Sequence, residues 1–316
     1  PDDPTTPAPT TPAPTPPPSD VFDFDGPVPT NLFIVSIDTM RWDRIGRYSG
    51  SPSMTPFLDS LLEQSVVLDA HHSCSNWTAP SMLCATSGQS PLDAGVFIPR
   101  NARQLPTVAR LLREDGFDTR LVSGNGWYLH GHFFDPHKPL CPPEDYRQGE
   151  DELPPLGFDL CWEYHEALDA MWRDGTPEQQ ATFRAHVELR YDGDVRFMDD
   201  QIRRMWTQLE SRSALDDTLV MFFSDHGEQF MDRRPVVDHP WDLFAEENRA
   251  LGAFWAKNLA PRSYSGRTQH EDLAATLYTL FDAIPERPFS GLPVGTAPPI
   301  GRFDSCTTTT TSTSWL

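Results

Sequence analysis

Two apolar runs of this sequence end in acidic residues. Leu32-Phe33-Ile34-Val35-Ser36-Ile37 leads into Asp38, and Thr218-Leu219-Val220-Met221-Phe222-Phe223 leads into Ser224-Asp225-His226-Gly227-Glu228. In doubly wound sheets ligands gather beyond the carboxyl ends of the strands, so Asp38 and Asp225-His226 can converge although they lie far apart in the chain. Hard oxygen donors with one nitrogen suit Ca²⁺, Mg²⁺, Mn²⁺ or Zn²⁺. Taken singly, a strand-end aspartate is more often a cap or turn residue than a ligand.

A third fragment, Ser75-Asn76-Trp77-Thr78-Ala79-Pro80-Ser81-Met82-Leu83, reads as a helix start. Pro80 suits the first turn and Thr78 sits where a cap belongs. Its hydroxyl would stand at the positive end of the helix dipole beside unsatisfied backbone N–H groups. So held next to a divalent metal, a hydroxyl can lose its proton and attack phosphorus or sulfur. As an isolated pattern the same start is far more often ordinary capping.

Something must position these groups. The chain has 316 residues, 38% of them hydrophobic, enough for one large α/β domain or two modest ones. No apolar run approaches the roughly 20 residues needed to span a bilayer. A coiled coil, a collagen-like rod and an integral membrane protein are thereby excluded, and the mature chain is expected to be soluble, with any targeting segment lying outside it. The formal charge of -21, with Lys138 and Lys257 as the only lysines, argues against a nucleic-acid surface. An anionic ester can still bind, provided that positive charge is supplied locally by a metal, a helix N-terminus or a few aimed His and Arg side chains.

Residues 1–29, rich in Pro, Thr, Ala and Asp, read as a disordered tether, and residues 30–303 as the folded domain. Spacing predicts helices over 55–64, 105–115, 178–210 and 270–281, with strands over 31–37, 65–68, 117–123 and 218–223. Alternating helices and buried strands imply a mainly parallel sheet flanked by helices on both faces, an α/β layered sandwich. Residues 125–156 read as a long loop whose His130, His132 and His137 either shape a pocket or are incidental surface residues. Residues 304–316 are a low-complexity tail. The five cysteines are too irregular for a disulfide scaffold, though a Cys141–Cys161 bridge is one of two open readings beside free thiols.

The order of the fragments adds information. Asp38-Thr39-Met40-Arg41, Thr55-Pro56-Phe57-Leu58-Asp59, Trp77-Thr78-Ala79-Pro80-Ser81, Ser87-Gly88-Gln89-Ser90-Pro91, Gly157-Phe158-Asp159, Tyr191-Asp192-Gly193 leading to Asp199, and Ser224-Asp225-His226-Gly227-Glu228 together resemble the sulfatase-like branch of the alkaline phosphatase superfamily over about residues 31–281. The resemblance implies an alkaline-phosphatase-like sandwich with a divalent metal held by Asp38, Thr78, Asp225 and His226, and Thr78 as nucleophile. It places His239 where related enzymes hold the substrate anion or protonate the leaving group. His270 falls where some members keep a ligand for a second ion, with helix capping as its other reading.

The resemblance also implies an ester hydrolase or transferase acting on a small anionic ester, a glycan or a lipid head group. Formylglycine is not expected, because Thr78 and Met82 stand where sulfatases carry the Cys or Ser and the Arg of the C/S-x-P-x-R motif. Asp38 is followed by Thr39 rather than a second acid, and Gly124-Asn125-Gly126-Trp127 replaces Gly-Lys-Trp-His. A direct threonine nucleophile is the arrangement of superfamily phosphodiesterases, phosphonate hydrolases and phosphoethanolamine or phosphoglycerol transferases. The competing reading is a non-catalytic relative that serves as a binding or structural protein. The tether favours an extracytoplasmic location, whether periplasmic, surface-tethered or secreted.

Overall fold

A computed structural model describes residues 20–50, 52–94, 126–161, 171, 173–232, 237–239, 243–285 and 287–296. Its centre is a six-stranded sheet ordered β3-β1-β4-β5-β2-β6. The strands are β1 (Asn31–Ile37), β2 (Val66–His72), β3 (Tyr128–Phe133), β4 (Thr218–Ser224), β5 (Gly252–Trp255) and β6 (Arg262–Gln269). β1 runs parallel to both β3 and β4, and β2 runs parallel to β6. β5 is antiparallel to its neighbours β4 and β2. Five strands therefore point the same way, and their carboxyl ends share one edge.

The central strands read as near-continuous apolar runs because both of their faces are covered. Successive side chains alternate between two cores. Phe33, Val35, Ile37, Val220 and Phe222 enter one, and Leu32, Ile34, Leu219, Met221 and Phe223 enter the other. The first core is closed by the helix Pro177–Glu210, which contributes Phe183, Val187, Tyr191, Val195, Met198, Ile202 and Trp206 along one stripe. The second is closed by the helix His270–Leu280 through Leu273, Ala274, Leu277 and Tyr278.

In chain order the helices used below are α1 (Pro56–Leu62), α2 (Thr78–Ser87), α3 (Pro177–Glu210) and α4 (His270–Leu280). α3 begins with a capping box in which Thr176 and Gln179 bond each other's backbone. Thr55 makes no side-chain cap for α1. Asp199 of α3 supplies it instead, accepting the Phe57 and Leu58 amides at 3.0 and 2.8 Å.

Several sequence readings need correction or completion. The stretch 125–156, read as a loop, contains β3, an edge strand of sequence YLHGHF with no β-branched residue to announce it. β5 is only four residues long and β6 is largely polar, so neither shows the expected apolar signal. The predicted helix 105–115 and strand 117–123 lie outside the described residues, as do 1–19 and 297–316. Within 20–29, Val21 and Phe22 pack into the second core, Phe22 edge-on to Phe254 at 5.2 Å. Among the described residues two disulfides are present, Cys141–Cys161 and Cys74–Cys84, the second without a signal in the sequence. No helix among the described residues is long and apolar enough to cross a membrane.

Candidate active site

β1 and β4 are neighbours in register, with Ile37 opposite Ser224, so the residues that follow them leave the sheet side by side. The Asp225 amide donates to the Ile37 carbonyl at 3.1 Å, and the Asp38 amide donates to the Phe133 carbonyl of β3 at 2.9 Å. β2 ends at the same edge, and its continuation enters α2. Ser81 of α2 donates to the Asp225 carbonyl and pairs with Ser73 Oγ at 2.9 Å, which fastens the helix start to the end of β4.

Thr78 is the first residue of α2 rather than its cap; Trp77 is the N-cap and no side chain caps the helix. The Thr78 hydroxyl is therefore free to face the sheet edge. Its Oγ1 lies 3.4 Å from Asp38 Oδ1 and 3.3 Å from His226 Nε2. Asp225 Oδ1 accepts the Thr39 and His226 amides at 2.9 and 2.7 Å, whereas its Oδ2 is buried without a hydrogen-bond partner. His226 Nδ1 bonds the Gly227 carbonyl at 2.8 Å, an arrangement that places the proton on Nδ1 and leaves the Nε2 lone pair facing Thr78.

The electrostatics are severe. Burial, and then the neighbouring Asp38 charge, push Asp225 well above the ordinary carboxylate range. Burial also pulls upward on Asp38, but the hydrogen bond from His132, with the neighbouring histidines, outweighs it and holds Asp38 low. Burial, followed by the charge of His239, pushes His226 down to about 3. Asp38, Asp225 and His226 offer donor atoms within 4.8 Å of one another. Two carboxylates and an unprotonated imidazole at that separation, with one carboxylate oxygen orphaned, fit a divalent cation, whose charge would offset the cost of burying them.

His239 is buried beside this group, its ring 4.3 Å from that of His226. Burial pulls its pKa down, but its Nδ1, 3.3 Å from Glu228 Oε2, feels that carboxylate more strongly, and the net shift is upward. His270 stands apart from the candidate metal ligands. Its Nδ1 accepts from the Cys74 amide at 3.2 Å and its Nε2 donates to the Ser224 carbonyl at 2.9 Å, while Gln269 and Asp272 form the capping box of α4. It is thus a buried brace between strand ends, neither a cap nor a ring with a free nitrogen.

Two histidines gain a definite place. His130 and His132 project from the same face of β3, and Ser36 Oγ bonds His130 Nε2 and His132 Nδ1, each at 2.8 Å. The other nitrogen of His132 reaches Asp38 Oδ2 at 3.3 Å. The i, i+2 spacing of the two histidines is the signal that would have found this, had the segment been recognised as a strand. His137 lies farther out, its ring 5.3 Å from that of His239. Glu228 also belongs to the site, held by its place two residues after His226.

Comparison with known proteins identifies the family and the fold. A family model described as Sulfatase matches residues 30–182 and 124–283. An uncharacterized sulfatase of Escherichia coli, YidJ, is 25% identical over 162 residues, covering 50% of this chain and 31% of that protein. The N-acetylgalactosamine-6-sulfatase of Canis lupus familiaris is 22% identical over 266 residues, covering 64% of this chain and 51% of its own length. The matched stretches thus span about a third to a half of these relatives. Among solved structures, the phosphonate monoester hydrolase of Agrobacterium radiobacter superposes with a TM-score of 0.67 at 15% identity, over 86% of this chain and 78% of that one, a likeness of fold.

Proposed function

The chain belongs to the sulfatase family, and on that premise we propose that it is a metal-dependent hydrolase of sulfate or phosphate esters in which Thr78 itself, without formylglycine, is the nucleophile. The observation that carries this reading is the Thr78 hydroxyl within 3.4 Å of Asp38 and 3.3 Å of His226, at the start of a helix. Asp38, Thr78, Asp225 and His226 would hold the cation. When bound, it supplies positive charge that acidifies the Thr78 hydroxyl and neutralises the ester oxygens.

The residues of the chain do the rest. Thr78 Oγ1 forms a bond to phosphorus or sulfur as the bond to the leaving oxygen breaks, and its proton passes to solvent. His239, kept protonated by Glu228, gives a proton to the leaving oxygen. Water, or an acceptor hydroxyl in a transferase, then cleaves the Oγ1 ester and restores Thr78. The start of α2 directs backbone N–H groups toward the developing charge. The two disulfides support an extracytoplasmic location, since such bonds persist in oxidising compartments.

Turnover of nitrophenyl phosphate, bis(nitrophenyl) phosphate and nitrophenyl sulfate with Mn²⁺, Zn²⁺, Mg²⁺ and Ca²⁺, in wild type and Thr78→Ala, tests the proposal. Metal-dependent turnover lost in Thr78→Ala is expected. Absence of turnover with every metal would favour a binding protein on the same fold, and activity surviving Thr78→Ala would remove the nucleophile assignment.

A further inference from the structure

Cys74 and Cys84 are bridged, and a carboxylate lies against the bridge. Glu271 Oε2 of α4 is 3.5 Å from Cys84 Sγ, and the two sulfurs and a Glu271 oxygen all fall within 4.8 Å of one another. Cys84 and Glu271 are buried, whereas Cys74 is half-buried. A bridged sulfur carries no proton, so it has nothing to donate to the carboxylate, and the contact sets one acceptor against another. A thiol, or a cation held between sulfur and carboxylate, makes the same contact attractive.

The backbone around the three residues is fastened without the bridge. The Ser73 amide donates to the Asn248 carbonyl at 2.8 Å, and the Cys74 amide to His270 Nδ1 at 3.2 Å. Ser81 ties α2 to the Asp225 carbonyl. Asp272, next to Glu271, accepts the Gln269 and Leu292 amides at 2.9 and 2.7 Å. Opening the S–S bond therefore leaves two thiols and a carboxylate gathered from three elements: the end of β2, α2 and α4.

Two thiolates and one carboxylate are a donor set for a thiophilic divalent cation such as Zn²⁺, with water in the fourth position. The set contains none of Asp38, Asp225 and His226, whose hard oxygens also suit Ca²⁺ and Mg²⁺. We infer that Cys74, Cys84 and Glu271 form a cation site of their own, created when the bridge is reduced and selective for Zn²⁺ over Ca²⁺. The chemistry balances. A dithiol delivers two electrons and two protons, the S–S bond breaks to two thiols, and the dithiol closes to its own disulfide. Zn²⁺ then displaces the two thiol protons, which pass to solvent. The inference does not depend on the hydrolase reading.

The test reduces the full chain with a phosphine, desalts it and alkylates it with iodoacetamide alone, with Zn²⁺ or with Ca²⁺, following each cysteine peptide by mass spectrometry. Zn²⁺ is expected to slow modification of Cys74 about tenfold or more, and Ca²⁺ to leave it unchanged. Equal rates with and without Zn²⁺ would overturn the inference, and this comparison needs no variant. Asp38→Asn, which damages the other candidate metal centre, should keep the protection, and Glu271→Gln should lose most of it. Protection that disappears in Asp38→Asn, or persists in full in Glu271→Gln, would place the cation elsewhere and overturn the inference. Titration of the reduced chain with Cd²⁺ reads thiolate ligation directly. A sulfur-to-metal absorption band that shrinks in Cys74→Ser/Cys84→Ser is expected, and a band of undiminished amplitude in that double variant would overturn the site.

Discussion

The Tyr191 hydroxyl donates to the Thr39 carbonyl at 2.7 Å and accepts from the Arg41 amide at 2.8 Å. It thereby clamps the turn that follows Asp38 from the opposite side of the core. Thr39 is held at φ 49°, a left-handed conformation that a β-branched residue seldom adopts, and its amide is one of the two that orient Asp225. Tyr191→Phe keeps the ring and removes the clamp. We expect a loss of about 1–3 kcal/mol in stability from the two unpaired buried backbone groups. Mn²⁺ affinity measured by calorimetry should weaken about tenfold or more, as when an outer partner of a metal ligand is lost. Unchanged affinity would show that the turn needs no clamp.

The bridge Cys74–Cys84 encloses Thr78, with a sequence separation of 10. Closing a loop of that size contributes about 3 kcal/mol by chain entropy. Reduction is therefore expected to lower both the thermal midpoint and the Thr78-dependent turnover. The Cys84→Ser variant should show both losses from the outset and respond much less to reductant, whereas Cys141→Ser should keep most of the turnover. A wild-type enzyme that stays active with the bridge shown by mass spectrometry to be reduced would rule out this positioning role.

Asp194 is buried on α3, and its Oδ2 has no hydrogen-bond partner. Burial first, and then the charge of Asp135, push its pKa up to about 8. A group whose folded pKa lies above its unfolded value near 3.9 binds more protons in the folded state between those limits. Its stabilising contribution is complete below about pH 4 and is lost as pH rises toward about 8. Asp194→Asn is therefore expected to be more stable than wild type at pH 8 by on the order of a few kcal/mol, with the gap closing toward pH 4. Chemical denaturation across that range checks the slope, and a pH-independent gap would contradict it.

Asp199 caps α1 from a different helix, and burial pushes its pKa up to about 6 despite the two amides it accepts. Asp199→Ala should cost about 1–2 kcal/mol, as the loss of a capping group does. Thermal unfolding at pH 7 is the check, with an expected fall of roughly 2–8 °C. An unchanged midpoint would mean that water replaces the carboxylate.

The sequence by itself determined the α/β layering, because β1, β4 and the stripe of α3 announce themselves through hydrophobic period alone. It also singled out Asp38, Thr78, Asp225 and His226, since strand-end acids and a helix-start hydroxyl carry their chemistry in local pattern. His239 and Tyr191 were legible only as members of motifs. Only the tertiary structure decided that Asp38 and Asp225 leave adjacent strands and that Glu228 faces His239. β3 was invisible because an edge strand need not be apolar, and with it went the contact from His132 to Asp38. Local periods are written in neighbouring residues, whereas strand order depends on which buried faces find each other, a choice that no short stretch of sequence contains.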